Sequence, residues 1–322
     1  MSRLRVGCVG TGFIAGKHLA ALASFDDVDV VAVADTDAER AAAVAASHEA
    51  RAYTDGLDLL GAEDLDAVWL CVPPFAHGAL EEAAVRRALP FFVEKPLAHD
   101  LATAERVAGS VEAAGLRTAV GYHWRHLDLV QRVRRLVEER PPLLFSGYWL
   151  DRTPPVPWWA HRGRSGGQLV EQTTHVFDLA RLLVGEVTDV STTHVPAPGP
   201  HEQPDDAVPL ASSVALRFAS GAVGSVSSAR VLPGRHRVGI QLVGDGYAVE
   251  LDERAIVDHE LRLTTATGVV SERSLQDPIA AEDRAFLDAV AGDGDDVRCT
   301  YAEALRTHAL AWAADRSSVG GG

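Results

Sequence analysis

Apolar runs and helical patterns alternate along the first 121 residues of the chain. The apolar runs, each a candidate strand, lie at residues 4–9, 28–34, 67–72, 91–93 and 117–121. Strands that are apolar throughout and separated by helices predict a parallel sheet covered on both faces. Since crossovers between such strands are right-handed, we expect a doubly wound Rossmann domain over residues 1–121.

The pattern changes after residue 121, where strand patterns begin to follow one another directly. The run from residue 187 to 275 contains turn signals such as Gly244-Asp245-Gly246 and predicts a large, mostly antiparallel sheet. Candidate helices lie at residues 127–138, 169–184, 279–291 and 301–315. A surface loop is expected at residues 196–206. We therefore expect an α/β protein whose residues 122–322 form an α+β domain for substrate binding and oligomerisation.

Composition and charge narrow the choice of partners. The chain has 322 residues and a formal net charge of −15, and such a surface repels phosphate backbones and anionic lipid, so we expect neither nucleic acid nor a membrane as partner. The longest run without a charged residue, 67–80, is too short to span a bilayer. Three cysteines give no disulfide framework, and no signal peptide precedes the first strand, which predicts a cytoplasmic protein.

A glycine-rich turn links the first candidate strand to the first candidate helix. It reads Gly10-Thr11-Gly12-Phe13-Ile14-Ala15, the G-x-G-x-x-A pattern of dinucleotide sites. Gly10 permits the tight turn, Gly12 lets the backbone approach a pyrophosphate, and Ala15 lets helix and strand pack closely. The amides at the helix N-terminus, around Phe13 and Ile14, supply donors and positive potential. Taken alone, the motif also fits an ordinary strand–helix turn.

An acidic residue, Asp35, ends the second candidate strand. A carboxylate at this place can accept both hydroxyls of an adenosine ribose, whereas it would repel a 2′-phosphate. Enzymes that use NADP usually carry an arginine nearby, but the next positions here are Thr36 and Asp37, and Arg40 is further along. The sequence therefore favours NAD over NADP, with no arginine adjoining Asp35.

Glu94-Lys95-Pro96 follows the candidate strand at residues 91–93. Ligands of open α/β sheets bind outside the carboxyl ends of the strands, which places Lys95 where a nicotinamide is expected. The alternative is a surface lysine. Pro96 fixes the turn and permits a cis peptide bond that would orient Lys95.

Glu171 and His175 are four residues apart in the candidate helix at 169–184, so they are expected to share one helix face. A carboxylate beside an imidazole orients the ring and favours its protonated form, which suits acid–base catalysis. Two other interpretations stay open, a surface pair and half of a metal site. Because no further cluster of ligands is visible, we expect no metal.

These motifs together resemble the Gfo/Idh/MocA family, named for glucose–fructose oxidoreductase and inositol dehydrogenase. The resemblance covers nearly the whole chain. It rests on the residues already named and on Pro73-Pro74 with His77, on Gly121-Tyr122-His123-Trp124-Arg125, and on the segment from Gly167 to Asp178. The departures from the family pattern are Glu171 in place of Asp, Thr173 in place of Gly, and His126 in place of an aromatic residue.

The resemblance implies a role for each matching residue. Lys95 would bind the reacting oxygen of the substrate, and His175 would move its proton. Glu171 would position His175 and substrate hydroxyls. Pro73, His77, Glu94 and Lys95 would lie at the nicotinamide side of the cofactor, while Asp178 would be structural. Arg125 would contact substrate. Trp158 is a further candidate substrate contact on its own chemistry, because its loop precedes the helix with His175 and indole faces suit sugar rings, although packing at a domain or subunit interface fits equally well.

The expected function is hydride transfer between a nicotinamide and a secondary hydroxyl or ketone of a sugar, polyol or sugar derivative. The expected assembly is a homodimer or homotetramer, because the long antiparallel stretch has few helices to cover both of its faces. Two alternatives remain open, an NAD-recycling glycosidase of the same superfamily and a non-catalytic regulator that senses the cofactor. The presence of Lys95 and His175 argues against the regulator.

Overall fold

The computed structural model describes residues 3–197 and 206–317, so the loop expected at 196–206 lies mostly outside the described residues. The chain forms two compact units. The first contains the residues up to His123 together with Ile279–Leu305, and the second contains Trp124–Pro278 and the residues from Arg306 onward. The sequence pattern assigns residues 279–305 to the second domain, whereas the structure groups them with the first unit.

The first unit contains a six-stranded parallel sheet in the order β3-β2-β1-β4-β5-β6, which confirms the predicted Rossmann fold. Its strands are β1 (Leu4–Val9), β2 (Val28–Ala34), β3 (Arg51–Tyr53), β4 (Ala67–Leu70), β5 (Phe91–Val93) and β6 (Thr118–Val120). Its helices are α1 (Phe13–Ala23), α2 (Ala38–Ser47), α3 (Gly56–Ala62), α4 (Ala79–Arg86) and α5 (Leu101–Ala114). The apolar runs predicted every strand except β3, an edge strand whose side chains are largely exposed.

Side-chain caps fix where several helices of the first unit begin. The Asp37 carboxylate accepts a hydrogen bond from the Arg40 amide at the start of α2. Asp100 accepts one from the Thr103 amide at the start of α5, and Gly115 ends that helix in the left-handed conformation. Such caps satisfy amides and carbonyls that have no partner within the helix. The start of α1 differs, because its cap is Gly12 and offers no side chain.

The second unit contains an eight-stranded sheet in the order β14-β13-β12-β11-β7-β10-β9-β8. Its strands are β7 (Pro142–Leu150), β8 (Val187–Val195), β9 (Ala211–Phe218), β10 (Val223–Ala229), β11 (Arg237–Gly244), β12 (Tyr247–Ala255), β13 (Asp258–Thr265) and β14 (Gly268–Ser274). Only the β7–β10 pair is parallel, which confirms the prediction of a mostly antiparallel sheet. The helices α6 (Asp128–Glu139), α7 (Arg162–Ser165), α8 (Gln168–Glu171) and α9 (Thr174–Val184) belong to the same unit.

The single helix predicted at residues 169–184 is wrong, because it is interrupted between α8 and α9. The Thr173 amide donates to the Gln168 carbonyl at 3.0 Å, a wide turn across five residues that breaks the regular helical ladder. Glu171 therefore ends one helix and His175 lies near the start of the next. The two residues therefore do not share one helix face, contrary to the prediction.

Two helices close the described chain, α10 (Pro278–Ala291) and α11 (Tyr301–Arg316). Phe286 and Leu287 of α10 are buried against the first sheet, in one apolar cluster with Trp69 and Phe92. This packing explains why residues 279–305 group with the first unit. Within the described residues, no helix is both long enough and apolar enough to cross a membrane.

Candidate functional site

The turn between β1 and α1 is shaped for close approach by a ligand. Gly10 has a φ of +88°, and a Cβ there would lie 2.3 Å from the Cys71 carbonyl oxygen, so only glycine fits. A Cβ at Gly12 would meet nothing within 4 Å, which means that the space over the first turn of α1 is open. Ala15 is fully buried against the sheet. The turn thus fits a pyrophosphate held by helix N-terminal amides.

The carboxylate of Asp35 lies at the end of β2 and carries five hydrogen bonds from the protein. Its Oδ1 accepts from the Asp37 amide at 2.9 Å and from Arg40 Nη2 at 2.6 Å. Its Oδ2 accepts from the Thr11 amide at 2.9 Å, from Thr11 Oγ1 at 2.7 Å and from Arg40 Nε at 3.1 Å. Burial opposes ionisation, but these donors outweigh it and hold the pKa of Asp35 well below its usual range.

The expectation that no arginine adjoins Asp35 is wrong. Arg40 lies in the first turn of α2, and its guanidinium reaches back to the end of β2 as a fork of two donors. Arg40 lies five positions after Asp35, which suggests from the sequence that the two side chains do not meet. The turn between β2 and α2 brings the chain back toward Asp35, so they do meet.

The loop after β4 brings His77 to a buried position. Its Nδ1 lies 2.5 Å from Glu81 Oε1, and the Gly78 amide donates to Glu81 Oε2 at 2.6 Å. Within the described residues, His77 Nε2 is buried without a hydrogen-bond partner, an orphan that a polar group of a cofactor would satisfy. Glu81 was not among the predicted site residues, although the His-x-x-x-Glu spacing from His77 at a helix start signals such a pair. Pro73 directly precedes the short 3₁₀ turn Pro74–Ala76 in this loop.

Glu94 and Lys95 follow β5, and Glu94 takes part in a buried network. His18 of α1 places Nε2 at 3.0 Å from Glu94 Oε1 and Nδ1 at 2.8 Å from Asp283 Oδ1. Burial disfavours a charged imidazole, but the two carboxylates outweigh it and raise the pKa of His18 well above its ordinary value. A Cβ at Gly121 would lie 2.4 Å from Glu94 Oε1, so the glycine makes room for this carboxylate.

Lys95 itself is half-buried, and its amide donates to Glu94 Oε2 at 3.1 Å. The Lys95–Pro96 peptide bond is cis. His18, Glu94 and Glu282 each place a possible ligand atom within 4.8 Å of the others. Both ring nitrogens of His18 already face carboxylates, those of Glu94 and Asp283, so His18 and Glu94 belong to an ion-pair network.

In the second unit, His175 is buried beside two tryptophans, whose own ring centroids lie 6.2 Å apart. Its ring centroid lies 5.3 Å from that of Trp124 and 5.9 Å from that of Trp149, with the Trp149 ring nearly parallel to the imidazole. Glu171 Oε2 accepts a hydrogen bond from Trp159 Nε1 at 2.5 Å. Trp124 and Trp149 were not predicted as neighbours of His175, because no spacing rule links β7 or the segment before α6 to α9.

Three buried polar side chains, Trp149, Ser228 and Gln168, lie close to one another in the second unit. Ser228 on β10 is the parallel register partner of Trp149 on β7. Gln168 Nε2 donates to the Ala229 carbonyl at 3.2 Å, which places Gln168 next to Ser228. Trp149 Nε1, Ser228 Oγ and Gln168 Oε1 are buried and have no hydrogen-bond partner among residues 3–197 and 206–317. Buried orphans of this kind need a partner such as water or a ligand hydroxyl.

Arg125 is held inside the second unit by Asp178. Its Nε and Nη2 donate to the two carboxylate oxygens of Asp178, both at 2.7 Å, and both side chains are buried. Thr307 Oγ1 also donates to Asp178, at 2.9 Å. Two donors of the guanidinium are therefore used within the protein, which argues against Arg125 as a direct substrate ligand.

The neighbouring tryptophans Trp158 and Trp159 form a 3₁₀ turn, Pro157–Ala160. Trp159 is buried and lies under the Arg230 guanidinium at 5.9 Å, while Trp158 is half-buried. The hydrogen bond from Trp159 to Glu171 fixes this turn beside α8.

Comparison with known proteins matches both units to one family. A model described as the GFO/IDH/MocA oxidoreductase family with an NAD-binding Rossmann fold matches residues 4–122. A model of the GFO/IDH/MocA C-terminal domain matches residues 130–250. The first unit therefore contains an NAD-binding Rossmann domain, as the glycine-rich turn predicts.

Several relatives are dehydrogenases. Inositol 2-dehydrogenase 4 of Saccharopolyspora erythraea is 34% identical over 200 residues, which cover 59% of this chain and 57% of that protein. Inositol 2-dehydrogenase of Rhizobium meliloti is 31% identical over 264 residues, which cover 80% of this chain and 78% of that protein. A solved structure of levoglucosan dehydrogenase in complex with NADH has the same fold, with a TM-score of 0.86, 22% identity and 98% of both chains covered.

Proposed function

This chain belongs to the GFO/IDH/MocA family of oxidoreductases, and from that premise we propose that it is an NAD-dependent dehydrogenase of a sugar, polyol or sugar derivative. The reaction interconverts a secondary hydroxyl of the substrate and the corresponding ketone. The observation that carries the substrate class is the set of buried orphan atoms of Trp149, Ser228 and Gln168 beside His175. Several substrate hydroxyls would satisfy them, and the indole faces suit an apolar ring face.

The cofactor is held by residues of the first unit. The turn at Gly10 and Gly12 would receive the pyrophosphate, Asp35 the adenosine ribose, and His77 Nε2 a polar group near the nicotinamide. When bound, NAD supplies the acceptor or donor of the hydride. The protein's own task is then to orient the substrate and to manage one proton.

Lys95 and His175 carry the proton chemistry in this proposal. The Lys95 ammonium stabilises negative charge that develops on the substrate oxygen. His175 accepts or returns the hydroxyl proton, since an imidazole is the side chain best matched to that step near neutral pH. Glu171, at the end of α8, positions His175 indirectly, through its hydrogen bond to Trp159. The ion pair between Arg125 and Asp178 holds the first half of α9, which carries His175, in place.

The test is formation of NADH, followed at 340 nm, with a panel of inositols, aldoses and sugar acids. The expected result is stoichiometric NADH with at least one member of the panel. Cleavage of a glycoside without net NADH would instead support the NAD-recycling glycosidase. The dehydrogenase relatives favour the oxidoreductase over that alternative and over a cofactor-sensing regulator.

The assembly in this proposal is a homodimer or homotetramer. Leu144 on β7 and its register partner Val223 on β10 point away from the core and are 41% and 46% exposed. Val243 on β11 pairs with Leu144 from the other side. A second copy of the same sheet would cover this apolar patch. A cytoplasmic location fits the three free, buried thiols of Cys8, Cys71 and Cys299.

A further inference from the structure

The carboxylate of Asp35 is saturated by donors of the protein itself. An ionised carboxylate offers about four lone-pair sites. Asp35 already accepts from the Thr11 amide and hydroxyl, the Asp37 amide and two nitrogens of Arg40. Ribose hydroxyls cannot be added to this set, so at least one donor must leave before Asp35 can bind the adenosine ribose.

Arg40 is the donor that can leave at the smallest cost. The amides of Thr11 and Asp37 are fixed by the glycine-rich turn and by the start of α2, and Thr11 is buried. The Arg40 side chain, by contrast, is 47% exposed and is attached by a flexible stem. A second carboxylate, Asp37, lies 3.4 Å from its Nη1 and can keep the guanidinium nearby after it leaves Asp35.

We propose that Arg40 is a displaceable cap on the ribose site and makes this site bind both NAD and NADP. The ribose hydroxyls of NAD compete with Arg40 for Asp35. The 2′-phosphate of NADP draws the same guanidinium onto itself, since an arginine fork matches phosphate oxygens. Arg40 therefore weakens NAD binding and strengthens NADP binding. The inference rests on the proposed role of Asp35 at the adenosine ribose.

The net charge of Asp35, Asp37 and Arg40 explains why the site would prefer NAD and still bind NADP. With Arg40 present, Asp35, Asp37 and Arg40 sum to one negative charge, whereas without it a 2′-phosphate would face two carboxylates. After Arg40 has moved to the phosphate, Asp35 keeps three donors from Thr11 and Asp37. These three donors stabilise the negative charge of Asp35, and Arg40, now on the phosphate, offsets part of the repulsion between the phosphate and the carboxylate.

The test is equilibrium binding of NADH and of NADPH to the full chain, followed by nucleotide fluorescence, which requires no substrate. Arg40→Ala should lower the Kd for NADH by about 2- to 5-fold, the scale of an exposed ion pair. The same variant should raise the Kd for NADPH by roughly 10-fold, the scale of one charge-assisted hydrogen bond. Arg40→Lys, which keeps the charge, should restore much of the affinity for NADPH.

A matched control lies at the other end of β2, where Arg3 pairs with Asp29 at 2.9 Å. Arg3→Ala should leave both dissociation constants within about twofold of wild type, as expected for an exposed pair outside the site. If Arg40→Ala weakens the binding of NADH and NADPH to the same extent, the ratio of their dissociation constants stays unchanged. That result would contradict the proposed role of Arg40 but would not contradict NAD dependence. If the wild-type chain binds neither nucleotide, the cap and the proposed function both fall.

Discussion

His18 Nε2 lies 3.0 Å from Glu94 Oε1, although the two residues are 76 positions apart in the chain. Asp283 holds the other ring nitrogen of His18 and also accepts from Trp69 Nε1 at 2.8 Å. The helix that follows the glycine-rich turn is therefore tied to the residue that precedes Lys95. The buried imidazole of His18 thus fixes the glycine-rich turn at Gly10 relative to the segment that carries Lys95.

Removal of this imidazole should destabilise the first unit strongly. His18→Ala leaves two buried carboxylates without their common partner, and breaking a buried pair in this way costs about 3–5 kcal/mol. Urea unfolding near pH 6 measures the loss. His236→Ala, at an exposed position, should change the unfolding free energy by less than about 0.5 kcal/mol.

The same residue predicts how stability depends on pH. The folded pKa of His18 lies well above its ordinary value of 6.5, because Asp283 and Glu94 outweigh the effect of burial. The stabilisation by the charged ring is therefore fully present below pH 6.5 and is lost as the pH rises through the raised pKa. His18→Gln keeps hydrogen-bonding groups without the charge, so its stability should fall less steeply with rising pH. Equal slopes for wild type and variant would contradict this explanation.

The fold was predictable where local pattern and tertiary packing agree. Strands β4 and β5 are apolar throughout, and β1 and β2 are apolar except for Arg5 and Asp29, because both faces of the parallel sheet are largely buried. β3 was missed because an exposed edge strand has no such pattern. The break between α8 and α9 was missed because a wide turn leaves the apolar periodicity nearly unchanged.

The candidate site was predictable where chemistry depends on residues close in sequence. The Gly10 turn and the lysine motif are of this kind. The contacts of Asp35 with Arg40 and of His175 with Trp149 depend on how the chain returns after a turn or across a sheet. Spacing rules cannot supply such contacts, because the partners lie on different elements.

Asp35→Ala should narrow the preference for NAD over NADP. The variant removes the acceptor for the ribose hydroxyls and releases Arg40, which can then meet a 2′-phosphate. The ratio of kcat/KM values for the two cofactors measures the effect, with the same substrate in both assays. If this ratio stays at the wild-type value, Asp35 does not bind the cofactor. Asp29→Ala, at the start of the same strand, is the matched control.

A charge placed on the outer face of the second sheet should disrupt the assembly. Leu144→Glu would introduce a carboxylate into the apolar patch formed with Val223 and Val243. An interface between two copies would then bury an unpaired charge twice, which costs several kcal/mol. Light scattering at micromolar concentration should show a dimer or tetramer for the wild type and smaller species for the variant. A monomeric wild type would contradict the proposed assembly.

Ser228→Ala should raise KM for the substrate without loss of stability. The Ser228 hydroxyl is buried beside Trp149 with no partner in the described part of the chain, so its removal costs the folded protein little. A substrate hydroxyl bonded to it would lose that contact, with an increase in KM of about 3- to 10-fold. Ser227→Ala is the matched control, since the preceding residue of β10 points to the opposite face. Equal effects of the two substitutions would place the substrate elsewhere.

His175→Ala and Lys95→Ala should each lower kcat while NAD binding is largely kept. Positioned proton transfer contributes about 10²- to 10⁴-fold, so the loss for His175→Ala should fall in that range. Lys95→Ala should cost a similar factor, because an ammonium no longer stabilises the developing negative charge. Glu171→Gln should cost less and shift the pH–rate profile, since Glu171 acts by positioning. Steady-state kinetics and NAD titration of each variant separate catalysis from binding. If both alanine variants keep a kcat near that of the wild type on the true substrate, the site assignment is wrong.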